Sequence, residues 1–443
     1  MSGIGVALSG GGHRAALFGL GVLLYLVDAD KHRSVTSIAS VSGGSLTNGY
    51  VAQAGDYASA TPDEFWTVAR QLTTQVARRG TLWASPLTWA YLAVLVLAAL
   101  ATIVGVWFLP IGLGWRLLVF AAAVLFVAWI ASLRGWICAR SFARTLYSPN
   151  GRPTRLAETA RPVDHVLCAT DLHAGEHAYF SGRFVCSYRF GFGKPADIAL
   201  HDAVQVSAAY PGGFPARWLQ TSRHAFTLPA EEEAARAKFM VLVDGGAYDN
   251  LGDEWAQGVR ERNRRWASID PQLHEPDELV VVNSSGPMVW KRMDALRLPV
   301  LGELLTLKRD VDVLYDTTTS TRRRWLFDTF VNKQGALRGA IVQISQSPFH
   351  VASRYVERPD EDDTKQRAVD VLAALGDTKG EWATVTAANR SVKTTLSKLG
   401  PEVGVRLVRH GYVLAMANLH VLLDYPLLPV PPASRFEELG GRP

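Results

Sequence analysis

Three short motifs carry the residues of this chain that can do chemistry. Residues 9–14 read SGGGHR, residues 40–44 read SVSGG with Ser42 at their centre, and residues 244–246 read DGG. Consecutive glycines let backbone N–H groups converge on an anion, and a helix that starts after them adds its positive end. Such a glycine loop can hold a phosphate or the oxyanion of an acyl-transfer intermediate.

Ser42 and Asp244 have the chemical types of a nucleophile and its base. Small residues around Ser42 allow the sharp strand-to-helix turn that presents a nucleophilic hydroxyl, although Ser40 stands at the first position of the G-x-S-x-G pattern. A carboxylate on a glycine turn can approach that hydroxyl and accept its proton. Taken alone, the D-G-G motif is more typical of a simple turn.

The elements that must position these motifs are short apolar strands. The sequence predicts strands at residues 5–8, 35–40 and 239–243, one before each motif, and further strands at residues 165–170 and 279–283. Strands that alternate with helices predict a mostly parallel sheet covered on both faces, with its site at the carboxyl ends of the strands. We therefore expect a three-layer α/β/α sandwich.

An apolar region interrupts this pattern at residues 81–135. Residues 89–108 form an apolar run without a charged side chain, and residues 117–133 form a second apolar stretch. About 20 apolar residues cross the hydrocarbon core, so the region predicts a two-helix transmembrane hairpin. Two core helices, or a hairpin that dips into one leaflet, are the alternatives. Arginines flank the hairpin on both sides while its turn carries only Arg116, so the positive-inside rule predicts a multi-pass cell-membrane protein whose soluble parts face the cytoplasm.

The composition argues against several other kinds of protein. The chain has 443 residues, of which 48% are hydrophobic, which is ample for a large core. The formal net charge of +5 is weak, and no long basic run with interleaved aromatics indicates a nucleic-acid partner. No two of the cysteines lie at C-x-x-C spacing, so no zinc site is expected from them; they are Cys138, Cys168 and Cys186.

The three motifs, in this order, resemble those of the patatin-like phospholipase family, which are G-G-G-x-[RK], G-x-S-x-G and D-G-[GA]. Residues 169–171 (ATD) and 249–252 (DNLG) resemble further marks of that family. The resemblance covers residues 3–50 and 168–286. The chain departs from the family pattern at Ser40 and at Ala15, where a glycine is common.

The resemblance implies a Ser–Asp dyad with no catalytic histidine, no metal and no cofactor. Ser42 would attack an ester carbonyl, and Asp244 would take its proton and later activate water. The chain is thus expected to be a membrane-anchored serine lipid acyl hydrolase, with membrane lipid as its substrate and the bilayer as its partner. The implied oxyanion-hole amides are those of Gly10, Gly11, Gly12 and Gly43, and the implied supporting residues are Arg14, Gly44, Gly245 and Gly246.

The predicted organisation is a catalytic domain in two parts around the hairpin. The parts are residues 1–80 and 136–345, the hairpin is 81–135, and residues 346–443 form a helical region with a loose tail. Within the second part, residues 322–324 read RRR. These arginines could contact anionic lipid headgroups, although a solvated loop is the simpler interpretation.

Two other functions stay open. Residues 10–15 also satisfy the G-x-G-x-x-[GA] dinucleotide fingerprint, and Asp30 lies 20 residues after Gly10. The ribose-binding acid of such a fold should end the second strand, however, and an oxidoreductase leaves Ser42 and Asp244 without a role. The second alternative is a catalytically silent membrane scaffold of the same fold.

Overall fold

A computed structural model gives the fold and describes residues 3–227, 237–266, 272–286, 288, 301–331, 337–357 and 362–441. All five predicted strands are present, to within one residue at each end. The strands are β1 (Ile4–Leu8), β2 (Val35–Val41), β3 (Asp164–Asp171), β4 (Glu176–Phe180), β5 (Val185–Ser187), β6 (Gly191–Gly193), β7 (Arg217–Gln220), β8 (Phe239–Asp244), β9 (Glu278–Asn283) and β10 (Arg338–Gln343). The helices are α1 (Gly12–Asp28), α2 (Gly43–Ala54), α3 (Pro62–Thr74), α4 (Pro86–Gly105), α5 (Leu113–Ser132), α6 (Arg134–Thr145), α7 (Leu200–Ser207), α8 (Glu254–Gln257), α9 (Val259–Arg265), α10 (Leu301–Val331), α11 (Pro348–Val356), α12 (Asp362–Leu375), α13 (Lys379–Arg390), α14 (Pro401–Leu423) and α15 (Ala433–Glu437).

The strands form one sheet in the order β10-β9-β1-β2-β3-β4-β5-β6. The five strands from β10 to β3 are parallel to their neighbours, and β4, β5 and β6 continue the sheet antiparallel. Helices cover both faces, because successive residues of one strand enter different apolar clusters. Val280 and Val282 pack with α1 and α14, whereas Leu279 and Val281 pack with α10. The fold is therefore the expected α/β/α sandwich.

Two strands meet end to end along one edge of β3. β2 runs parallel to β3 and its last residue, Val41, pairs with Cys168. β8 runs antiparallel to β3, and its last residue, Asp244, pairs with Ala169. Because β4 occupies the opposite edge of β3, β2 and β8 share the same edge and approach each other from opposite directions. Their carboxyl ends therefore face each other one residue apart in the register of β3.

The predicted hairpin consists of α4 and α5, which leave the body of the molecule. Of the described residues, Pro86–Phe108 and Leu113–Thr145 are long and apolar enough to cross a membrane, with mean hydropathies of 2.4 and 2.3. Only 11% and 6% of their most apolar windows are buried. The alternative of two core helices is therefore wrong, because neither helix packs inside the protein.

The C-terminal region belongs to the main core. α14 packs along α1, and their buried residues form one apolar cluster with β1 and β9. The expectation of a loose tail is also wrong. Phe436 and Leu439 are fully buried and join the same cluster, because the chain beyond α14 folds back over α3.

Candidate active site

The glycine loop connects β1 to α1 at the carboxyl end of β1. Gly11 and Gly12 have φ angles of 141° and 60°, which a residue with a side chain rarely adopts. Ser9 fixes the start of the loop, because its N–H donates to Val282 O at 3.0 Å and its Oγ accepts from Ser284 N at 2.7 Å. The loop is thus held against the end of β9, with the first turn of α1 directly behind it.

Ser42 occupies a strained turn between β2 and α2. Its φ and ψ angles are 51° and −113°, a conformation that costs non-glycine residues of the order of 1–3 kcal/mol. Ser207 holds the turn: its carbonyl accepts from the Ser42 N–H at 3.1 Å, and its hydroxyl lies 3.2 Å from the same nitrogen. This geometry directs the Ser42 side chain into the cavity described below.

A buried polar network lies beneath this turn and accounts for Ser40 in place of a glycine. The Ser40 hydroxyl lies 3.0 Å from the Ser45 hydroxyl and accepts from Asn48 Nδ2 at 2.9 Å. Asn48 Oδ1 in turn lies 2.7 Å from His165 Nδ1. The strand end therefore accommodates a hydroxyl because hydrogen-bond partners surround it.

Asp244 ends β8 and is buried. Its Oδ1 accepts from Gly246 N at 2.8 Å, while Oδ2 has no hydrogen-bond partner of normal geometry among the described residues. Desolvation raises the pKa of Asp244 to about 7, against hydrogen bonding by the Gly246 N–H and the neighbouring Ser42 hydroxyl, which lower it. The carboxyl group thus titrates near neutrality, which suits a general base.

The structure brings the glycine loop, Ser42 and Asp244 to one cavity of about 1060 Å³. A methyl group added at Gly43 would lie 2.2 Å from Gly12 O, so the second motif touches the first through a contact that only glycine permits. Seven of the ten predicted site residues line the cavity; they are Gly10, Gly11, Gly12, Arg14, Ser42, Gly43 and Asp244. The other three, Gly44, Gly245 and Gly246, lie behind it in the turns that carry Ser42 and Asp244.

One of the predicted oxyanion-hole donors is not available. The Gly10 N–H donates to Asn250 O at 3.0 Å, so the expectation for Gly10 is corrected. Within the described residues, nothing accepts a hydrogen bond from the N–H groups of Gly11, Gly12 and Gly43. These three amides are free to bind an anion, and two of them belong to the first turns of α1 and α2.

Arg14 joins the glycine loop to two other loops. Its Nε donates to Ser284 O at 3.0 Å, and its Nη1 donates to Val392 O at 2.5 Å. Burial lowers the pKa of Arg14 to about 10. The side chain therefore acts mainly as a tie between loops.

The three arginines at 322–324 lie in α10 and not in a solvated loop. Arg322 Nη2 lies 2.9 Å from Asp253 Oδ2, and Arg322 Nε lies 3.2 Å from Asp249 Oδ1. Burial raises the pKa of Asp249, but the neighbouring His177 side chain and the Arg322 charge outweigh it and hold that pKa well below its usual range. The ion pairs thus attach α10 to the segment that follows Asp244.

Two walls of the cavity were not found from the sequence. The loop after α13 covers the glycine loop, since Thr395 O accepts from His13 N at 2.9 Å. α10 contributes Tyr315, whose hydroxyl is buried beside Asp244 and has no hydrogen-bond partner among the described residues. Neither wall carries a motif in the sequence that would have identified it.

The other candidate chemistries find little support in the geometry. Asp30 is exposed and pairs with Arg33 at 2.6 Å, beyond the far end of α1 from the glycine loop. α1 has 17 residues and is therefore about 25 Å long. A dinucleotide with its pyrophosphate at the glycine loop could not place its ribose against Asp30 across that distance. Among the residues that the structure describes, no three His, Cys, Asp or Glu side chains cluster as metal ligands.

A comparison with protein-family models identifies the family of this chain. Residues 6–252, more than half of the chain, match the family model described as patatin-like phospholipase. The structure is similar to human GIVD cytosolic phospholipase A2, with 12% identity, a TM-score of 0.46, and coverage of 99% of this chain and 60% of that one. It is also similar to VipD from Legionella pneumophila, with 13% identity, a TM-score of 0.31, and coverage of 96% and 67%. The chain thus spans about three fifths of the human chain's length. No curated protein matches the sequence.

Proposed function

This chain belongs to the patatin-like phospholipase family, and we propose that it is a membrane-anchored serine lipid acyl hydrolase. One observation carries the proposal: β2 and β8 end against each other on the same edge of β3. Ser42 and Asp244 therefore line one cavity together with the free amides of the glycine loop.

The reaction follows from these groups. The Ser42 hydroxyl attacks the ester carbonyl carbon while Asp244 accepts its proton, and the carbonyl oxygen becomes an oxyanion. The N–H groups of Gly11, Gly12 and Gly43 stabilise that oxyanion, and loss of one such donor typically costs about 10²–10³ in rate. The intermediate collapses to an acyl-enzyme as the alcohol leaves with the proton from Asp244. Asp244 then takes a proton from the water that attacks the acyl-enzyme, and it returns that proton to Ser42 Oγ as the fatty acid leaves.

The hairpin supplies the membrane anchor in this proposal. α4 and α5 have 20 residues each, and each is therefore about 30 Å long, the thickness of a hydrocarbon core. Their exposed apolar surfaces have no partner within the described residues that would cover them in water. The arginines at both ends of the hairpin favour a cytoplasmic position for the catalytic body at the cell membrane.

The two alternatives are weaker. A dinucleotide-binding oxidoreductase needs an acid at the end of β2, where this chain has Ser42 at the turn and Asp30 lies elsewhere. A silent scaffold has no need for a buried carboxyl group with a pKa near neutrality beside a strained serine. The hydrolase accounts for both features.

A panel of ester lipids tests the proposal. The purified full-length protein, in detergent micelles, is given phospholipids, lysophospholipids and neutral glycerides, and the released fatty acid is measured. We expect turnover of at least one class, its loss in Ser42→Ala, and no loss in Ser59→Ala, which removes an exposed hydroxyl outside the cavity. Turnover that survives Ser42→Ala would exclude the serine mechanism.

A further inference from the structure

The mouth of the catalytic cavity is built from the base of the hairpin. Leu82 and Trp83, which line the cavity, directly precede α4. On the other side of the mouth, Gly213 and Phe214 also line the cavity. Gly213 O accepts a hydrogen bond from Nε of Arg134 at 2.8 Å. Arg134 is the first residue of α6, which follows α5. The start of α4 and the end of α5 thus both lie beside the opening.

Hydrogen bonds tie the hairpin base to the catalytic body. Thr81 Oγ1 lies 2.9 Å from Nε2 of His13, which follows the glycine loop. Thr88 of α4 bonds in two directions, to Leu82 O at 2.6 Å and to the Ser141 hydroxyl at 2.9 Å. The position of the hairpin in a membrane therefore fixes the position of the mouth.

Tryptophans mark the level at which a bilayer surface would meet the protein. Trp89 stands near the start of α4 and Trp129 near the end of α5, and both are exposed. Trp89 Nε1 donates to the carbonyl of Trp83 at 3.0 Å, and their rings lie 5.6 Å apart. Trp136 is exposed as well, with the Arg140 guanidinium 5.2 Å from its ring. Amphipathic indole rings prefer the headgroup region, so Trp83 and the mouth lie at that depth.

The charges around this level suit a lipid surface. Residues 65–157 contain no Asp or Glu, and every charged side chain among them is an arginine. Juxtamembrane arginines are attracted to anionic lipids near the membrane surface. A segment without acidic residues can therefore lie against anionic headgroups without repulsion.

The lining of the cavity combines apolar and charged side chains. Its apolar side chains include Leu82 and Trp83 at the base of the hairpin, together with Leu46 and Phe214. Its charged side chains come from α10 and from the end of α13 with the loop after it; they are Arg309, Asp312, Asp316, Arg390 and Lys393. Ser42 lies in the lining of the same cavity. A cavity lined in both ways can hold the acyl chains and the polar headgroup of an ester lipid.

We propose that the cavity opens into the bilayer interface and takes its ester lipid directly from the leaflet that surrounds the hairpin. This inference rests on the proposed function and names the source of its substrate as the protein's own membrane. The lipid enters between Trp83 and Phe214 and never passes through water, so a substrate in another bilayer is a poor one.

The position of the mouth is tested without any turnover. The native cysteines are buried, so a bimane label reacts selectively at Trp83→Cys, with Asp30→Cys as the control at an exposed site remote from the hairpin. The labelled full-length proteins are reconstituted into vesicles that contain headgroup-level doxyl lipid. We expect doxyl lipid to quench the label at position 83 and not at position 30, and aqueous iodide to do the reverse. Iodide quenching at position 83 without doxyl quenching would overturn the inference.

The delivery of substrate is tested by comparing two locations of one fluorogenic phospholipid. It is placed either in the vesicles that hold the protein or in separate vesicles, and rates are normalised to outward-facing protein, counted with a membrane-impermeant fluorophosphonate. We expect hydrolysis in the protein's own vesicles to be about 10²-fold faster, because the anchor raises the local concentration. Equal rates would overturn the inference and leave the hydrolase intact. No hydrolysis in either location, with doxyl quenching at position 83, would overturn the proposed function instead.

Discussion

At the scale of single residues, the site depends on a strained backbone at Ser42 and on the desolvation of Asp244. Ser42 is held at φ 51° by the Ser207 backbone and hydroxyl, and this strain aims the hydroxyl at the cavity. Asp244 loses its hydration, and its pKa rises to about 7. In such a pair the base is weak enough to be protonated during the attack and strong enough to be ionised before it.

Replacement of the Asp244 carboxylate should remove the base without changing the shape of the site. We expect Asp244→Asn to lower kcat/KM for a short-chain p-nitrophenyl ester by about 10²–10⁴-fold, the usual contribution of a general base. Asp171→Asn is the matched control, because Asp171 is also a buried strand-end carboxylate but does not line the cavity. If both variants lost activity equally, the effect would be structural.

The pH profile should follow the same carboxyl group. Below its pKa of about 7, Asp244 is protonated and cannot accept the Ser42 proton. We therefore expect kcat/KM to rise with pH, with its midpoint near 7, between pH 5 and pH 9. Near-UV circular dichroism over the same range controls for unfolding. A profile that is flat, or that falls as the pH rises, would show that another group is the base.

At the scale of elements, the sequence predicted the parts but not how they meet. The strands before Ser42 and Asp244 follow from short apolar runs before glycine turns, which are local signals. That β8 runs antiparallel to β3, so that its end faces β2, has no local signal, because it depends on pairing between segments about 75 residues apart. For the same reason, the bond between Gly10 N and Asn250 O could not be foreseen. The resemblance to a known family supplied the convergence that patterning alone could not.

The attachment of α10 is an element-scale feature that can be tested by stability. Arg322→Met leaves Asp249 and Asp253 buried without their cation, and loss of one partner of a buried ion pair costs about 3–5 kcal/mol. We expect the lower end of this range, because the Arg322 side chain is 26% exposed. Chemical denaturation in detergent micelles measures the free energy of unfolding, and Arg324→Met, which changes an exposed arginine of the same helix, serves as the control. Equal stability of the two variants would mean that the buried ion pairs contribute nothing.

At the scale of the whole molecule, the chain combines one α/β/α body with an exposed apolar hairpin. The hairpin could be predicted from the sequence, because a long run of apolar residues is a strong signal. The C-terminal region was not, because burial of α14 against α1 is decided by packing between the two ends of the chain. This packing also brings the loop after α13 over the glycine loop, so the site is closed by residues from outside the stretch that the family model matches.

Removal of the hairpin should separate anchoring from catalysis. We expect replacement of residues 86–133 by a short Gly-Ser linker to move the protein from the membrane pellet to the supernatant and to abolish hydrolysis of bilayer lipid. The control replaces only residues 106–112, between the two helices, and should stay in the pellet. A protein that remains membrane-bound without residues 86–133 would show that the anchor lies elsewhere.

The central claim is that Ser42 and Asp244 act together beside the free amides of the glycine loop. Its most direct test is the reaction of the full-length protein with a fluorophosphonate, followed by mass spectrometry to locate the adduct and measure its rate of formation. Our account predicts a single adduct on Ser42 that forms far more slowly in Asp244→Asn. An adduct on a different residue, or a rate that Asp244→Asn leaves unchanged, would contradict it.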